Sequence, residues 1–371
     1  MKQGWELKKL GEVIEIRNGR NQQAVLSENG KYKVMGSAGN VMGYATDFIC
    51  EAGTTIIGRK GNISKPIYID ERFWNVDTAF GFYPKNEKEI DKRLIYYLCL
   101  GIDFESMNRG TTIPSLVKSE LQTIQINYPK SLPEQRRIVS ILDEAFAAIA
   151  KAKANAEQNL KNAKELFESY LQGVFENGDW ETKTIEMVCD EIFAGGDAPK
   201  NNFSTEQTEK YTIPIYANAV KGKGLYGYTD FARVTKPCVT ISARGSGTGH
   251  TELRSERFLP IVRLIVCIPD ANMMSTKFLK YTIDDLIIQR SGSAIPQLTV
   301  PMIIDYKIPV PSIDEQKQII EKAEKLKEQK ENLEYIYLKK IEVLEELKKS
   351  VLQKAFSGEL NEKRKRLHEV E

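Results

Sequence analysis

The chain has 371 residues, a formal charge of +2, five cysteines and two histidines. That length supports two cores of ordinary size, and the balanced charge excludes a globally basic coat while leaving room for local basic faces. With only His250 and His368 available, no Ser-His-Asp, Cys-His or histidine-metal arrangement can recur along the chain.

Residues 1–130 read as a mixed, glycine-punctuated, strand-like region. Arg17 and Arg20 stand near its start, and Gly43-Tyr44 reads as core and turn. Thr54-Thr55-Ile56-Ile57 is an apolar strand running into Gly58-Arg59-Lys60-Gly61-Asn62. Such a loop holds an arginine on a backbone that can approach a duplex closely, and arginine offers paired donors to guanine or phosphate. The next loop, Arg109-Gly110-Thr111-Thr112-Ile113-Pro114, has a tight-turn glycine and a proline that keeps Ile113 extended. Its role reads as mainly structural, with Arg109 a candidate phosphate contact.

Residues 131–177 form the first of two rods. Apolar residues at Ile138, Leu142, Ala145, Ile149, Ala152, Ala156, Leu160, Ala163, Phe167, Tyr170 and Val174 alternate by threes and fours, a coiled-coil seam with one stutter after Ala156. An uninterrupted helix of about 42 residues is roughly 60 Å long, too long to lie inside a small domain. Ser131 and Glu134 suit a capping box at its start, and Gly173 to Gly178 mark its end.

Residues 178–311 repeat the first region. Trp180 answers Trp5, Gly227-Tyr228 answers Gly43-Tyr44, and Ile295-Pro296 answers Ile113-Pro114. Val239-Thr240-Ile241-Ser242-Ala243-Arg244-Gly245-Ser246-Gly247 answers the Arg59 loop, and Arg290 answers Arg109. Lys221, Lys223, Arg254 and Arg257 lie around it. Gly245 to Gly249 lacks the Gly-Lys-Ser/Thr of a phosphate-binding loop and no helical pattern follows it, so a nucleotide site is not expected there.

Residues 312–358 repeat the rod at an offset of about 180 residues, and 359–371 are a charged tail. The second seam runs through Ile319, Ala323, Leu326, Lys330, Leu333, Tyr337, Ile341, Leu344, Lys348, Val351 and Ala355, with Leu347 expected to fill in for Lys348. Ser312 and Glu315 form the second capping box. The shared stutter suggests that the rods pair with each other, antiparallel, the small Ala145, Ala152 and Ala156 meeting Leu333, Tyr337 and Leu338. The alternative is that each rod packs back on its own globular region.

The five cysteines, Cys50, Cys99, Cys189, Cys238 and Cys267, lack any CxxC spacing and point to reduced thiols in a cytoplasmic protein. No secretory signal opens the chain, and no apolar run approaches the ~18 residues of a membrane span. No methyltransferase or adenosylmethionine-binding motif is present. Candidate DNA-contacting residues are therefore Arg17, Arg20, Arg59, Lys60, Asn62 and Arg109 in the first half, and Lys221, Lys223, Arg244, Ser246, Thr248 and Arg290 in the second. For any one of them the plainer reading is a solvated rim; for Arg59 and Arg244 the recurrence weighs against it.

Two variable regions, introduced by Gly4-Trp5-Glu6-Leu7 and Asp179-Trp180-Glu181, are each closed by a Pro-x-x-x-Glu-Gln-type segment, Leu132-Pro133-Glu134-Gln135-Arg136-Arg137-Ile138 and Pro311-Ser312-Ile313-Asp314-Glu315-Gln316-Lys317-Gln318-Ile319. With the endings Leu171-Gln172-Gly173-Val174-Phe175 and Leu352-Gln353-Lys354-Ala355-Phe356, this order resembles the specificity subunit of type I restriction-modification systems along essentially the whole chain. The resemblance implies an α+β protein of two target recognition domains separated by an antiparallel coiled coil of two long helices, an internal pseudo-twofold repeat. It implies a non-catalytic subunit that reads a bipartite, asymmetric site in double-stranded DNA, the rods setting the spacer and docking two modification subunits. Those partners would carry S-adenosylmethionine and methylate adenine, and two restriction subunits using ATP and Mg are possible further partners; this chain holds no cofactor. Recognition domains diverge within the family, so the arginine assignments rest on the residues alone. A second reading is a coiled-coil assembly scaffold that does not read DNA, and a third is an enzyme that itself methylates or cuts DNA, against which the missing motifs argue.

Overall fold

The computed structural model describes residues 3–218, 220–245, 247–290 and 297–357. It divides into unit 1, Met1–Glu157 with Leu338–Glu371, and unit 2, Gln158–Tyr337.

In unit 1 the chain forms β1 (Trp5–Lys9), α1 (Leu10–Val13), β2 (Ile14–Asn18), β3 (Tyr32–Met35), β4 (Val41–Ala45), β5 (Thr54–Gly58), β6 (Ile67–Ile69), β7 (Phe73–Asn75), β8 (Ala79–Pro84), α2 (Lys92–Leu100), α3 (Lys118–Leu121) and β9 (Gln125–Pro129). One sheet has the order β2-β8-β5-β6, a second β4-β3-β7, and β1 pairs with β9. Every residue of β5 is buried, as its unbroken β-branched run requires of a strand covered on both faces. Because successive strand side chains point to opposite faces, Ile57 joins the core with Phe82, Leu94 and Leu98, while Ile56 joins a second one with Val34, Phe73 and Trp74.

Helix α4 (Leu132–Asn177) leads to β10 (Thr182–Thr184), β11 (Cys189–Ala194), β12 (Phe203–Ser204), β13 (Ile213–Tyr216), β14 (Leu225–Thr229), β15 (Cys238–Ile241), β16 (Thr251–Arg254), β17 (Leu259–Pro260), β18 (Ile265–Pro269), α5 (Thr276–Arg290), α6 (Val300–Ile304), β19 (Lys307–Pro309) and α7 (Ile313–Ser357). The sheets of unit 2 are β11-β18-β15-β16 and β12-β14-β13-β17, with β10 paired to β19. Strand for strand this is unit 1 again, with β12 added at one edge. In both units the second sheet contains a single parallel pair, β3 with β7 and β13 with β17. The α+β fold and the internal repeat are as the sequence implies.

The long helices contain 46 and 45 residues. In unit 1, Lys348 lies over the Phe146 ring at 5.2 Å and Lys153 pairs with Glu345; in unit 2, Lys330 lies over Phe167 at 5.4 Å and Lys322 over Tyr170 at 4.9 Å. Partner numbers fall as α4 numbers rise, so the segments run antiparallel in each unit. All eleven expected seam positions of α4 are buried or half-buried.

Two details of the seam differ from expectation. Leu347 is exposed, and Lys348 itself occupies the seam, its ammonium on an aromatic face; Lys330 does the same. Leu333 and Leu338 are also exposed, and the Phe146–Lys348 and Lys153–Glu345 pairs set Ala145 and Ala152 against the later turns of α7 in place of the expected leucines. The second capping box forms, the Ser312 amide donating to Glu315 Oε2 at 2.9 Å and the Glu315 amide to Ser312 Oγ at 3.3 Å. At the first rod Glu134 is clasped by Arg137 at 2.8 and 2.9 Å.

A polar clamp ties each rod to its own unit. Gln135, fully buried, donates from Nε2 to the carbonyls of Glu89 and Pro129 at 2.9 and 2.7 Å and accepts from the Asp91 amide at 2.8 Å. Gln316 repeats this with Met273, Pro311 and Ser275 at 2.8, 2.9 and 2.8 Å. Asp91 and Ser275 accept amides from the first turns of α2 and α5, so each glutamine fixes the start of a domain helix. About two turns further along each rod Tyr97 donates to Asp143 at 2.6 Å and Tyr281 to Glu324 at 2.7 Å.

Candidate nucleic-acid interface

In unit 1, β5 ends at Gly58, where a Cβ would collide with the Asn62 carbonyl, and the loop turns at Gly61 with φ +82°. Glycine is needed at both points. The Arg59 and Lys60 amides donate to the Thr78 carbonyl at 2.8 and 3.1 Å, the Gly61 amide to Pro114 at 2.8 Å, and the Leu116 amide to Arg59 at 2.9 Å. The Arg59 loop and the Arg109–Pro114 loop, read from the sequence as separate motifs, therefore form one composite surface. Arg59 and Lys60 are exposed on it and Asn62 is half-buried. Asn108 Oδ1 accepts from the Gly110 and Ser115 amides at 2.8 and 2.9 Å and closes the second loop, leaving Ile113 59 % exposed at its tip. Arg109 pairs with Glu120 at 2.9 Å, which raises the guanidinium pKa.

Arg17 and Arg20 line a concavity of about 640 Å³ with Asn18, Lys85, Lys118 and Gln122. Arg17 donates to Glu15 at 2.9 Å, and that hydrogen bond holds the Glu15 carboxyl below its ordinary value. Arg20 is exposed, its backbone anchored by the Asn75 carbonyl at 2.9 Å and by Trp74 Nε1 at 3.0 Å.

Unit 2 builds the same composite. Arg244 bridges to Gln297, and the Leu298 amide donates to Ala243 at 2.8 Å, so the segment after the Arg290 loop again lies beside the arginine loop. Arg244 is exposed. Thr248 is half-buried, its amide and hydroxyl both donating to the Gly245 carbonyl at 3.2 and 2.8 Å and so closing the turn. The loop continues into strand β16, consistent with no phosphate-binding helix start. Ser246 and the side chain of Arg290 lie outside the described residues.

Lys221 and Lys223 are exposed on the β13–β14 turn, where Gly222, Lys223 and Gly224 all have positive φ, 59°, 52° and 77°. Beneath them Arg254 is 3 % exposed, stacked over the Tyr216 ring at 3.6 Å and donating to the Lys223 carbonyl. It supports the lysine turn and does not face solvent as a rim cation. Asn218 joins the pieces, accepting from the Ala243 amide at 2.8 Å and donating to the Val262 carbonyl.

Sequence reasoning missed Asn108, Asn218 and the Val262-Arg263 turn. Asn108 carried a signal, an asparagine two residues before a glycine, the pattern of a side chain that caps its own turn. Val-Arg carries none.

Among the described residues no cluster of three or more His, Cys, Asp or Glu is placed to hold a metal, and no helix is long and apolar enough to cross a membrane. Four of the five thiols are buried, and burial pushes Cys50 and Cys238 up to about 12.

The type I restriction modification DNA specificity domain family matches residues 2–161 and again 177–346. A Mycoplasma pneumoniae protein named as a type I specificity subunit is 29% identical over 266 residues, 68% of this chain and 78% of that one. The specificity subunit of the type I restriction enzyme MjaVIII from Methanocaldococcus jannaschii is 22% identical over 419 residues, 97% and 93% of the two chains. In fold, the chain resembles a subunit from a structure of a type I restriction-modification system, with TM-score 0.76 and 18% identity over 96% of this chain and 98% of that one. It also resembles the HsdS subunit of Thermoanaerobacter tengcongensis, with TM-score 0.62 and 19% identity over 96% and 98%. With the family match falling once on each repeat, the chain belongs to the type I restriction-modification DNA specificity family, as a non-catalytic specificity subunit with two target recognition domains.

Proposed function

We propose that the chain reads a bipartite, asymmetric DNA site, one half-site per unit, through residues 1–130 and 178–311, while the helices within 131–177 and 312–358 dock two modification subunits in the cytoplasm. The observation that carries this reading is the composite of an arginine loop and a proline loop, present once in each unit on the same scaffold but with different side chains. Where unit 1 has Arg20 just beyond β2, unit 2 has Gly196 just beyond β11; where unit 2 has Lys221 and Lys223, the β3–β4 turn of unit 1 has Ser37 and Ala38. Equal scaffolds with unequal chemistry suit two different half-sites. For docking, α7 exposes Tyr335 and Ile336 in unit 2 and Leu338, Val343 and Leu347 in unit 1, apolar side chains that a partner would cover. Adenosylmethionine would then enter with the modification subunits, and ATP and Mg with restriction subunits where these join; the tail, 359–371, has no assigned role.

The test is selection from a random duplex pool by the chain assembled with its modification subunits, followed by sequencing. We expect two enriched half-sites at fixed spacing, with Arg59→Ala relaxing one and Arg244→Ala the other. A pool that stays unenriched while the assembly forms independently of salt would select the scaffold reading instead. Two variants that relax the same half-site would refute the assignment of one half-site per unit.

A further inference from the structure

The turn between β17 and β18 holds two consecutive left-handed residues that are not glycine, Val262 at φ +53° and Arg263 at φ +64°. This conformation is the one Asn-Gly favours, and a β-branched residue in it is an outlier. The fold does not demand it. The equivalent turn of unit 1, Val76 to Ala79, closes with the same hydrogen bond, 3.1 Å in both units, yet Asp77 and Thr78 have no positive φ. In unit 2 the strained backbone is pinned on all sides: the Val262 amide donates to Gly196 at 2.7 Å, the Arg263 amide to Gly195 at 3.2 Å, and Asn218 donates to the Val262 carbonyl. Strain that the surroundings hold in place without any need of the fold points to what the turn presents. It presents Val262, 45 % exposed, and an exposed Arg263. It does so at the Arg244 loop, since the Asn218 side chain that holds Val262 also binds the amide of Ala243.

We propose that this turn is a further base-reading element of unit 2, Arg263 donating to a guanine edge and Val262 packing on a neighbouring thymine methyl. The proposal rests on the DNA-reading function above and adds a contact made by neither of its arginine loops. In unit 1 the corresponding turn has no such role, because Asp77 and Thr78 offer neither a cation nor an apolar surface.

The test compares the parent with the double variant Val262→Asn, Arg263→Gly and with Arg263→Lys, each as the full chain assembled with its modification subunits, by melting and by selection from a random duplex pool. The double variant carries the sequence this turn favours, so its Tm should rise. Its affinity for the parent's selected site should fall about tenfold or more, with base preference lost at one or two positions of the half-site that Arg244→Ala also affects. Arg263→Lys should keep the salt dependence and lose the guanine preference. An unchanged motif in the double variant, a lower Tm, or a uniform loss of affinity with every base preference kept would each overturn the turn's role while leaving the two-unit reading intact. A parent assembly that enriches no sequence would overturn both.

Discussion

Arg17 and Lys118 face the same concavity of unit 1, and the structurally equivalent positions of unit 2 hold Phe193 and Val300. Cations gathered in a concavity without a matching count of carboxylates suit the sugar-phosphate backbone, which positions the protein without reading sequence. Arg17→Ala and Lys118→Ala should each weaken binding to all sequences alike and reduce the salt slope by about one. Titrating specific and nonspecific duplexes over a range of salt checks this, and a change confined to the specific duplex would count against it. At this scale the sequence was only partly legible. The likeness of the Arg59 and Arg244 segments marked the loops but not the register: the Leu116 amide binds Arg59 where the Leu298 amide binds Ala243, and Lys60 bridges Ser115 where Arg244 bridges Gln297, so Arg244 stands at the place of Lys60. Nothing distinguished Arg254, stacked on Tyr216 beneath the lysine turn, from Arg257, which is exposed. A cation buried on an aromatic ring looks in sequence like any other rim cation, because the ring comes from a distant strand.

Elements were more legible than residues, for a physical reason. A long amphipathic helix repeats one local rule, so its buried face can be read by spacing, and the α4 seam is buried or half-buried at every expected position. On α7 the departures are Leu333, which is exposed, and Lys330 and Lys348, which lie over aromatic rings of α4 and depend on register, which spacing within one helix does not specify. The Glu-Gln pair was legible as a motif but not as a mechanism. Gln135 and Gln316 are buried amides that each make three hydrogen bonds with backbone groups beyond their own helical ladder. Replacing either by Ala leaves three backbone groups without that partner and should cost roughly 3 kcal/mol or more, since each orphaned group costs about 1–3 kcal/mol. Glutamate is no rescue, because a carboxylate has no donor for the two carbonyls. Thermal or denaturant melting of Gln135→Ala, Gln135→Glu and Gln316→Ala checks this, and wild-type stability in the Glu variant would show that the carbonyls are satisfied in another way.

At the scale of the whole molecule the repeat sets the expectation, because two copies of one scaffold with different surface chemistry should contribute to recognition as separate terms. Arg59 and Arg244 sit on corresponding loops, and among the described residues their partners are local: Asp77, Thr78 and Leu116 for the first, Gln297 for the second. Residues without shared partners have additive effects to within about 0.5 kcal/mol. If each arginine makes a bidentate contact in its own half-site, Arg59→Ala and Arg244→Ala should each weaken specific binding by roughly 1–3 kcal/mol at fixed salt, and the double variant by their sum. The cycle is run on the sequence recovered by selection, with the chain assembled with its modification subunits, and repeated on duplexes in which one half-site is scrambled. On a duplex lacking the half-site read by unit 1, Arg59→Ala should cost little while Arg244→Ala keeps its full effect, and the reverse should hold on the other duplex. A coupling well beyond 0.5 kcal/mol, or an Arg59→Ala penalty that persists whichever half-site is scrambled, would mean that the units read one shared element of the DNA.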